Sequence, residues 1–247
     1  MVNSRRAHDE LRAGYCQKQP ASCSPAPDLV GHHLSLLILL FPVFFFGFLI
    51  SSFLILHSYP LALNIISVCW ILFAVIWLLA AFATKKSVYR ESTLQRLRYI
   101  IPLLLGWFLL AKGHRLSDPL NHRVIPHLEA LAWIGAGLCI AGLIFCVWAR
   151  FTLGRNWSGV VTLKGGHELI TNGPYALVRH PIYTGLLTMF VATAIVLGHI
   201  AGIIAIPFVF VSFWIKLRYE EKLMLKQFPE QYAAYQQRVK RIIPFIL

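Results

Sequence analysis

The sequence predicts an all-α fold, a polytopic bundle of about six transmembrane helices. Hydrophobic residues make up 57% of the 247-residue chain and charged residues only 13%, whereas soluble domains carry about 25% charge. A helix needs about 20 apolar residues to cross the hydrocarbon core of a bilayer, and six apolar runs equal or approach that length. They comprise residues 34–56, 61–83, 94–111, 128–148, 182–197 and 200–215.

The first four runs precede the more polar C-terminal part of the chain. Residues 1–33 lack the layout of a cleaved signal peptide and are predicted to be a mobile cytoplasmic tail, so the first run is expected to be a retained helix. Only residues 57–60 separate the first two runs, which therefore form an antiparallel hairpin. The third run begins with Arg96 and Arg98, whose long side chains reach the interface. The fourth carries small residues that permit close helix contact, namely Gly135, Gly137, Ala141 and Gly142.

Lysine and arginine are distributed unevenly over the connections between these runs. The N-terminal tail, residues 84–98, residues 150–181 and residues 216–247 hold 20 of the 23 Lys and Arg residues. Cytoplasmic segments of membrane proteins are enriched in these residues, so both termini are predicted to be cytoplasmic. This topology explains the formal net charge of +13 without a nucleic-acid partner, because the cations do not form one patch with interleaved aromatic residues.

The cysteines and histidines indicate neither a disulfide framework nor a metal site. The five cysteines form no C-x-x-C pair, and three of them fall inside apolar runs, where a thiol is commonly a small buried hydrophobe. His114, His122 and His127 lie in one connection but with irregular spacing. We therefore expect no bound metal.

Two polar clusters flank the last two apolar runs. One includes Arg179-His180-Pro181-Ile182-Tyr183, and the other is Lys216-Leu217-Arg218-Tyr219-Glu220-Glu221. Each arm of the intervening hairpin has roughly 16 residues, about 24 Å of helix, so the chain returns to the face from which it started. The two clusters are therefore expected to meet at the cytoplasmic boundary, in a pocket covered by the loop at residues 150–181. Ionisable groups at membrane depth are costly and usually functional.

The chain is predicted to continue as a cytoplasmic helical segment beyond the second cluster. Residues 220–228 have the spacing of an amphipathic helix, and Pro229 suits the first position of a further helix. Tyr232 and Tyr235 share one face of that helix. These rings either line the pocket or pack the segment against the membrane surface, and both interpretations remain open at this point.

The motifs of the C-terminal two-fifths of the chain resemble those of the isoprenylcysteine carboxyl methyltransferase family. The resemblance rests on Leu153-Gly154-x-x-Trp157-Ser158, His167-Glu168-Leu169-Ile170, Gly173-Pro174-Tyr175, Arg179-His180-Pro181-x-Tyr183-x-Gly185, Glu220-Glu221, Phe228, Tyr232, Tyr235 and Ile243-Pro244-Phe245. It divides the chain into the tail at residues 1–33, four N-terminal helices at residues 34–149 and a methyltransferase core at residues 150–247.

The resemblance implies an integral membrane enzyme that uses S-adenosylmethionine as methyl donor and releases S-adenosylhomocysteine. Such enzymes have no soluble-type Rossmann domain, and the chain has no G-x-G-x-x-G fingerprint after a strand. A glutamate can accept from a ribose hydroxyl or the α-ammonium group, and tyrosine rings accommodate a sulfonium by cation–π attraction. The implied cofactor-binding residues are His167, Glu168, Leu169, Ile170, Tyr175, His180, Pro181, Ile182, Tyr183 and Glu220.

The resemblance further implies a lipophilic acceptor that enters from the bilayer, with the carboxylate of a prenylated cysteine as the first candidate. A carboxylate is ionised at neutral pH and needs a cation to place it rather than a general base. The family has an arginine four residues before the first glutamate of the pair, where this chain has Lys216, and Arg218 lies two residues before it. We favour Arg218 because a planar guanidinium holds a carboxylate through two parallel hydrogen bonds, with Lys216 as the second candidate.

Three alternatives remain beside this interpretation. An NADPH-dependent membrane sterol reductase shares a similar Arg-His-Pro-x-Tyr element, but such reductases tend to have Asn where this chain has Ile182, and the pair Glu220-Glu221 suits a phosphate poorly. A phospholipid amine methyltransferase and a membrane scaffold with a degenerate pocket are the other two. The expected location is the inner or plasma membrane of a bacterium or the endoplasmic reticulum of a eukaryote, and the sequence leaves the acceptor and the oligomeric state open.

Overall fold

The computed structural model describes residues 60–81, 87–90, 92–154, 162–164, 169–244 and 246. Within these ranges, a two-stranded antiparallel ribbon pairs β1, Ser87–Arg90, with β2, Thr162–Lys164, and short 3-10 turns span Gly113–Arg115 and Gly173–Ala176. The α-helices of the described residues are α1 Pro60–Ala81, α2 Thr93–Lys112, α3 Asp118–Asn121, α4 Glu129–Leu153, α5 Pro181–Leu197, α6 Ile200–Gln227 and α7 Pro229–Arg238.

Helices of membrane length dominate the part of the chain that the structure describes. Four of them are long and apolar enough to cross a bilayer, and the shorter α5 is also apolar. The predicted all-α membrane bundle is therefore confirmed, with the β1–β2 ribbon as an addition that the sequence did not indicate. The predicted tail at residues 1–33, the predicted run at residues 34–56 and residues 57–59 of the first hairpin turn lie outside the described residues.

Local sequence explains where the helices begin and end. Ser92 caps α2 in a capping box, since its side chain accepts a hydrogen bond from the Gln95 amide at 3.3 Å and its own amide donates to Gln95 Oε1 at 3.1 Å. Pro181 and Pro229 occupy first-turn positions of α5 and α7, where the missing amide hydrogen carries no penalty. Gly198 ends α5 with φ of 70°, a left-handed conformation that glycine adopts readily.

An aromatic cluster fills the interior where α1, α2 and α5 approach one another. Trp70 lies 5.2 Å from Trp107 and 5.0 Å from Phe190 between ring centroids, and Trp107 lies 5.1 Å from Phe190. Phe190 in turn contacts Phe213 of α6. These large rings are buried or half-buried, aromatic pairs add about 0.5–1.5 kcal/mol each beyond area burial, and the contacts tie the helices into one core.

Opposite ends of the bundle hold different connections. At one end, the Arg123 guanidinium donates to the Leu197 and Val196 carbonyl oxygens at 2.7 and 3.2 Å, and the Val124 amide donates to Gly198 O at 2.9 Å. The connection before α4 therefore lies beside the α5–α6 turn. At the other end lie the ribbon, the start of α5 and the end of α6. For the connections that the structure describes, this grouping matches the two sets that charge counting separates.

Glycines let α4 and α5 approach closely. A Cβ added at Gly185 would lie 2.5 Å from Cys146 Sγ and 2.6 Å from Gly142 O, and one at Gly142 would lie 2.7 Å from Gly185 O. Gly135 also meets α5, at Val196. By contrast, Gly137 faces open space, with nothing within 4 Å of its added Cβ, so only part of the predicted small-residue set serves helix contact.

Gly185→Leu is expected to disrupt the bundle because it forces α4 and α5 apart. Overpacking of a close contact typically costs about 1–3 kcal/mol, and here the obstructing atoms include backbone, so we expect a loss at the upper end of that range. Gly137→Leu on the same helix pair is the matched control. Thermal unfolding of both purified variants in one detergent measures the difference, and equal midpoints would contradict the close packing described here.

Candidate functional site

The start of α5 forms one wall of the candidate site. The 3-10 turn Gly173–Ala176 and the His180-Pro181 pair place Tyr175 and His180 in buried positions directly before the helix. Leu169 and Ile170, which precede the turn, are half-buried. Two predicted cofactor residues, His167 and Glu168, lie outside the described residues.

The α5–α6 hairpin brings the second polar cluster to this wall, as its equal arms predict. The Tyr183 hydroxyl donates to Glu220 Oε1 at 2.6 Å, and His180 Nδ1 lies 3.6 Å from Glu220 Oε2. The Tyr183 ring stacks between His180 and Phe213, with centroid distances of 5.6 and 5.2 Å. The Glu220 side chain keeps 25% of its surface exposed, so its carboxylate is accessible to a ligand.

Glu221, the second acid of the pair, lies in a buried charge cluster instead. Its Oε1 accepts from Arg179 Nη2 at 2.7 Å and Nε at 2.9 Å, and lies 3.3 Å from His180 Nε2. Its Oε2 accepts from Arg241 Nε at 3.1 Å. The side chains of Arg179 and Glu221 are 6% and 5% exposed, so this ion pair is desolvated. Each ring nitrogen of His180 thus faces one of the two carboxylates.

Residues 239–242, the C-terminal segment that follows α7, run along the start of α5 beside the charge cluster. Val178 and Lys240 form a parallel β-bridge, the Arg179 amide donates to Lys240 O at 2.7 Å, and the His180 amide donates to Arg241 O at 2.9 Å. Arg179 Nη1 also donates to the carbonyl oxygens of Val239 and Gln236. The backbone that carries Arg179 and His180 is therefore held by the returning end of the chain.

Tyr232 and Tyr235 of α7 are both buried. The Tyr235 hydroxyl donates to the Tyr175 carbonyl oxygen at 2.5 Å. Burial raises the pKa of both phenols above the usual value, so both remain neutral hydrogen-bond donors at physiological pH. The burial of both rings favours the interpretation that they pack the C-terminal segment. For Tyr235 the hydrogen bond supports it too, because that bond connects α7 to the turn that carries Tyr175.

The two candidate acceptor-orienting cations lie on different faces of α6. The Lys216 Nζ lies 5.4 Å from the centroid of the Tyr99 ring and 5.7 Å from that of Tyr183, beside the residue that donates to Glu220. Arg218 is exposed. Residues four apart share a helix face, whereas residues two apart point in roughly opposite directions. Lys216 is therefore on the Glu220 face, and Arg218 is directed away from it.

Sequence reasoning quoted Arg179 and Glu221 within their motifs but assigned neither a role, and it missed Arg241. The positions of Arg179 and Glu221 at the two ends of the hairpin were a detectable signal, because a charge at the membrane boundary requires an opposite charge. Arg241 has no local signal, since only the return of the chain brings it to Glu221. No cluster of three or more His, Cys, Asp or Glu side chains suited to a metal occurs among the described residues.

Comparison with known proteins agrees with the resemblance of the motifs. Residues 130–231 match the profile of a family described as phospholipid methyltransferase. A probable protein-S-isoprenylcysteine O-methyltransferase of Oryza sativa subsp. indica is 28% identical over 172 residues, covering 68% of this chain and 87% of the relative. The Homo sapiens protein-S-isoprenylcysteine O-methyltransferase is 30% identical over 182 residues, covering 69% of this chain and 60% of the relative.

The fold is shared with a solved structure of a eukaryotic intramembrane Ras methyltransferase, an isoprenylcysteine carboxyl methyltransferase. The superposition has a TM-score of 0.55 at 22% sequence identity and covers 99% of this chain and 96% of the other. The sequence relationship extends well beyond the short motifs, and the described helices follow the same arrangement. The chain is therefore a membrane methyltransferase that is similar in sequence and fold to the isoprenylcysteine carboxyl methyltransferases.

Proposed function

We propose that the protein transfers a methyl group from S-adenosylmethionine to the carboxylate of a lipophilic acceptor, with a prenylated cysteine as the first candidate. The observation that carries this proposal is the accessible Glu220 carboxylate, held by Tyr183 and flanked by His180 at one end of membrane-length helices. The related proteins of Oryza sativa and Homo sapiens are named as O-methyltransferases of isoprenylcysteine. Acceptor and donor therefore meet at the boundary between bilayer and water.

The residues present suit S-adenosylmethionine, which supplies an electrophilic methyl group on a sulfonium. The Glu220 carboxylate accepts hydrogen bonds from hydroxyl or ammonium groups, and its remaining exposure leaves room for them. The stacked rings of His180 and Tyr183 present an aromatic surface beside it, which favours a nearby cation. We assign cofactor binding to these residues together with Leu169, Ile170, Tyr175, Pro181 and Ile182, and to His167 and Glu168 beyond the described residues.

Methyl transfer is an in-line displacement, in which the acceptor oxygen bonds to the methyl carbon as the carbon–sulfur bond breaks. The main task of the protein is to align donor and acceptor and to exclude water. The C-terminal segment and α7 hold the start of α5 through the Arg179–Glu221 ion pair and the Tyr235–Tyr175 hydrogen bond. Buried, interlocked groups of this kind keep the Glu220 carboxylate and the neighbouring rings in one arrangement. The acceptor carboxylate attacks as it stands, because it is already ionised.

We assign the placement of that carboxylate to Lys216 rather than to Arg218, because Lys216 lies beside the Tyr183 ring and Arg218 lies on another face. Lys216→Ala is expected to lower kcat/KM for the acceptor about 10- to 100-fold, the loss of one charge-assisted contact, while affinity for S-adenosylhomocysteine is retained. Arg218→Ala is the matched comparison. Steady-state methylation kinetics of both variants decide between the two cations, and the reverse pattern would assign the role to Arg218.

We further propose six transmembrane spans, with residues 34–56 as the first and α1, α2, α4, α5 and α6 as the others. Both termini and the site then lie on the cytoplasmic side, in a bacterial inner membrane or in the endoplasmic reticulum. The excess of Lys and Arg in the connections at that end supports this orientation. In a variant without the five native cysteines, a cysteine introduced at residue 226 is expected to react with a membrane-impermeant maleimide from the cytoplasmic side of sealed vesicles, and one at residue 120 from the opposite side.

A panel assay tests the function as a whole. The purified protein is incubated with labelled S-adenosylmethionine and farnesylcysteine analogues, phosphatidylethanolamine or small lipophilic acids, and label transfer to the farnesylcysteine carboxylate is expected. The match to a phospholipid methyltransferase profile makes transfer to phosphatidylethanolamine the second candidate. Thermal stabilisation by NADPH but not by S-adenosylmethionine would instead favour a reductase, and stabilisation by neither would favour a non-enzymatic scaffold.

A further inference from the structure

Helix α6 extends beyond the region that it needs to span a bilayer. It has 28 residues, about 42 Å at 1.5 Å per residue, against a hydrocarbon core of about 30 Å. Its continuous apolar run, residues 200–215, precedes Lys216, so the last turns lie at the headgroup region. There Leu217 and Glu221 face the protein interior and are buried, which leaves the opposite face of the same turns outside.

That outer face carries three regularly spaced cations. Arg218, Lys222 and Lys226 follow one another at intervals of four residues and are all exposed, and this spacing places them on one side of the helix. We call them the cationic ladder. Ile204 and Val211, 37% and 47% exposed, precede Arg218 at intervals of seven residues and so share its face. The face that is apolar along the bilayer therefore becomes cationic at its boundary.

Acidic side chains do not neutralise the cationic ladder within the part of the chain that the structure describes. Glu220 and Glu221 bind Tyr183, His180, Arg179 and Arg241 on the inner faces of α6. No described carboxylate lies within 4.0 Å of a ladder cation. A further exposed cation stands beside the ladder, since Arg98 of α2 donates to the Tyr219 hydroxyl at 3.3 Å.

We propose that the cationic ladder binds the headgroups of anionic phospholipids in the adjoining leaflet. Lysine and arginine next to an anionic leaflet are attracted to it over about a Debye length. The occupant is lipid rather than a soluble anion because the ladder directly extends the lipid-facing stripe of α6, where phospholipid headgroups lie at the level of its cations. This lipid binding is separate from the candidate site, since Lys216 and Glu220 lie on other faces of the same turns.

The test compares the wild-type protein with Lys222→Gln/Lys226→Gln, which leaves the candidate site residues unchanged. Both are reconstituted into phosphatidylcholine vesicles that contain spin-labelled phosphatidylglycerol or spin-labelled phosphatidylcholine. Electron spin resonance then gives the association of each label with the protein surface. The wild-type protein is expected to prefer phosphatidylglycerol, and the preference is expected to fall with salt and to drop about fivefold or more in the double variant.

Arg238→Gln/Lys240→Gln, which removes two exposed cations outside the ladder, is the matched control and is expected to keep the preference. If the preference for phosphatidylglycerol fell equally in both double variants, net charge alone would explain it and the proposal would be overturned. A wild-type protein that does not prefer phosphatidylglycerol would overturn it as well. Binding of a soluble phosphopeptide that depends on Lys222 and Lys226, without lipid preference, would assign the ladder to a protein partner instead. Unchanged affinity for S-adenosylhomocysteine in the double variant shows that the variant is folded.

Discussion

Glu220→Gln is expected to lower the affinity for S-adenosylhomocysteine about 10- to 100-fold, because the substitution removes the charge of a carboxylate to which we assign cofactor binding. Hydrogen bonds to charged groups contribute about 1.5–3 kcal/mol. Glutamine has the same shape and retains an oxygen that can accept from Tyr183, so the fold is expected to persist. Isothermal titration of the purified variants with S-adenosylhomocysteine measures the effect.

Glu230→Gln provides the matched control, since Glu230 is an exposed acid in the first turn of α7 away from the contacts of the site. It is expected to bind S-adenosylhomocysteine like the wild-type protein. His180→Ala is expected to weaken binding as well, because the His180 ring stacks on Tyr183 and faces both glutamates. Wild-type affinity in both Glu220→Gln and His180→Ala would remove this end of the hairpin from the cofactor site.

Arg179→Ala is expected to destabilise the protein by about 3–5 kcal/mol, because it leaves the buried Glu221 carboxylate without its closest partner. Breaking one side of a buried ion pair has that effect, whereas replacing both charges by apolar groups often restores stability. Arg179 also donates to carbonyl oxygens of α7 and the C-terminal segment, so the return of the chain to α5 is weakened too. Unfolding followed by tryptophan fluorescence in a mild detergent measures the loss.

Two further variants separate the ion pair from general loss of charge. The Arg241 side chain is 36% exposed and is the more exposed partner of Glu221. Arg241→Gln is therefore expected to lower the free energy of unfolding by at most about 1 kcal/mol. The double variant Arg179→Met/Glu221→Leu is expected to be more stable than Arg179→Ala. A single substitution of Arg179 that costs no more than Arg241→Gln would show that the buried pair does not stabilise the C-terminal segment.

Two adjacent acids thus have different surroundings because consecutive helical residues point about 100° apart. Glu220 faces Tyr183 and retains exposure, while Glu221 lies among Arg179, His180 and Arg241. The position of Lys216 follows from the same geometry, since four residues bring it back to the face of Glu220. Helical spacing alone would have favoured Lys216 over Arg218. The preference for Arg218 rested on the hydrogen-bonding geometry of arginine, whereas the proposed role of Lys216 rests on the face that it shares with Glu220.

The hairpin contact was predictable because the two apolar runs, residues 182–197 and 200–215, have the same length. Helical rise converts residue counts into distance, so the meeting of Tyr183 and Glu220 follows from the sequence. The parallel bridge between Val178 and Lys240 was not predictable in this way, because the chain leaves helical geometry at Val239 and a residue count does not give the direction that it then takes. The β1–β2 ribbon also escaped prediction, since its strands have only four and three residues and depend on pairing across 71 intervening residues.

The sequence by itself determined that this protein is a helical membrane protein and which two motifs meet, while its motifs resemble those of a methyltransferase family. Apolar runs, charge distribution and helical rise are local or additive properties, and they can be read without coordinates. Only the tertiary structure decided that Glu221 pairs with Arg179 and Arg241, and which glycines of α4 contact α5. Those outcomes depend on how the end of the chain returns and on how far each helix is rotated, which the packing of distant side chains decides.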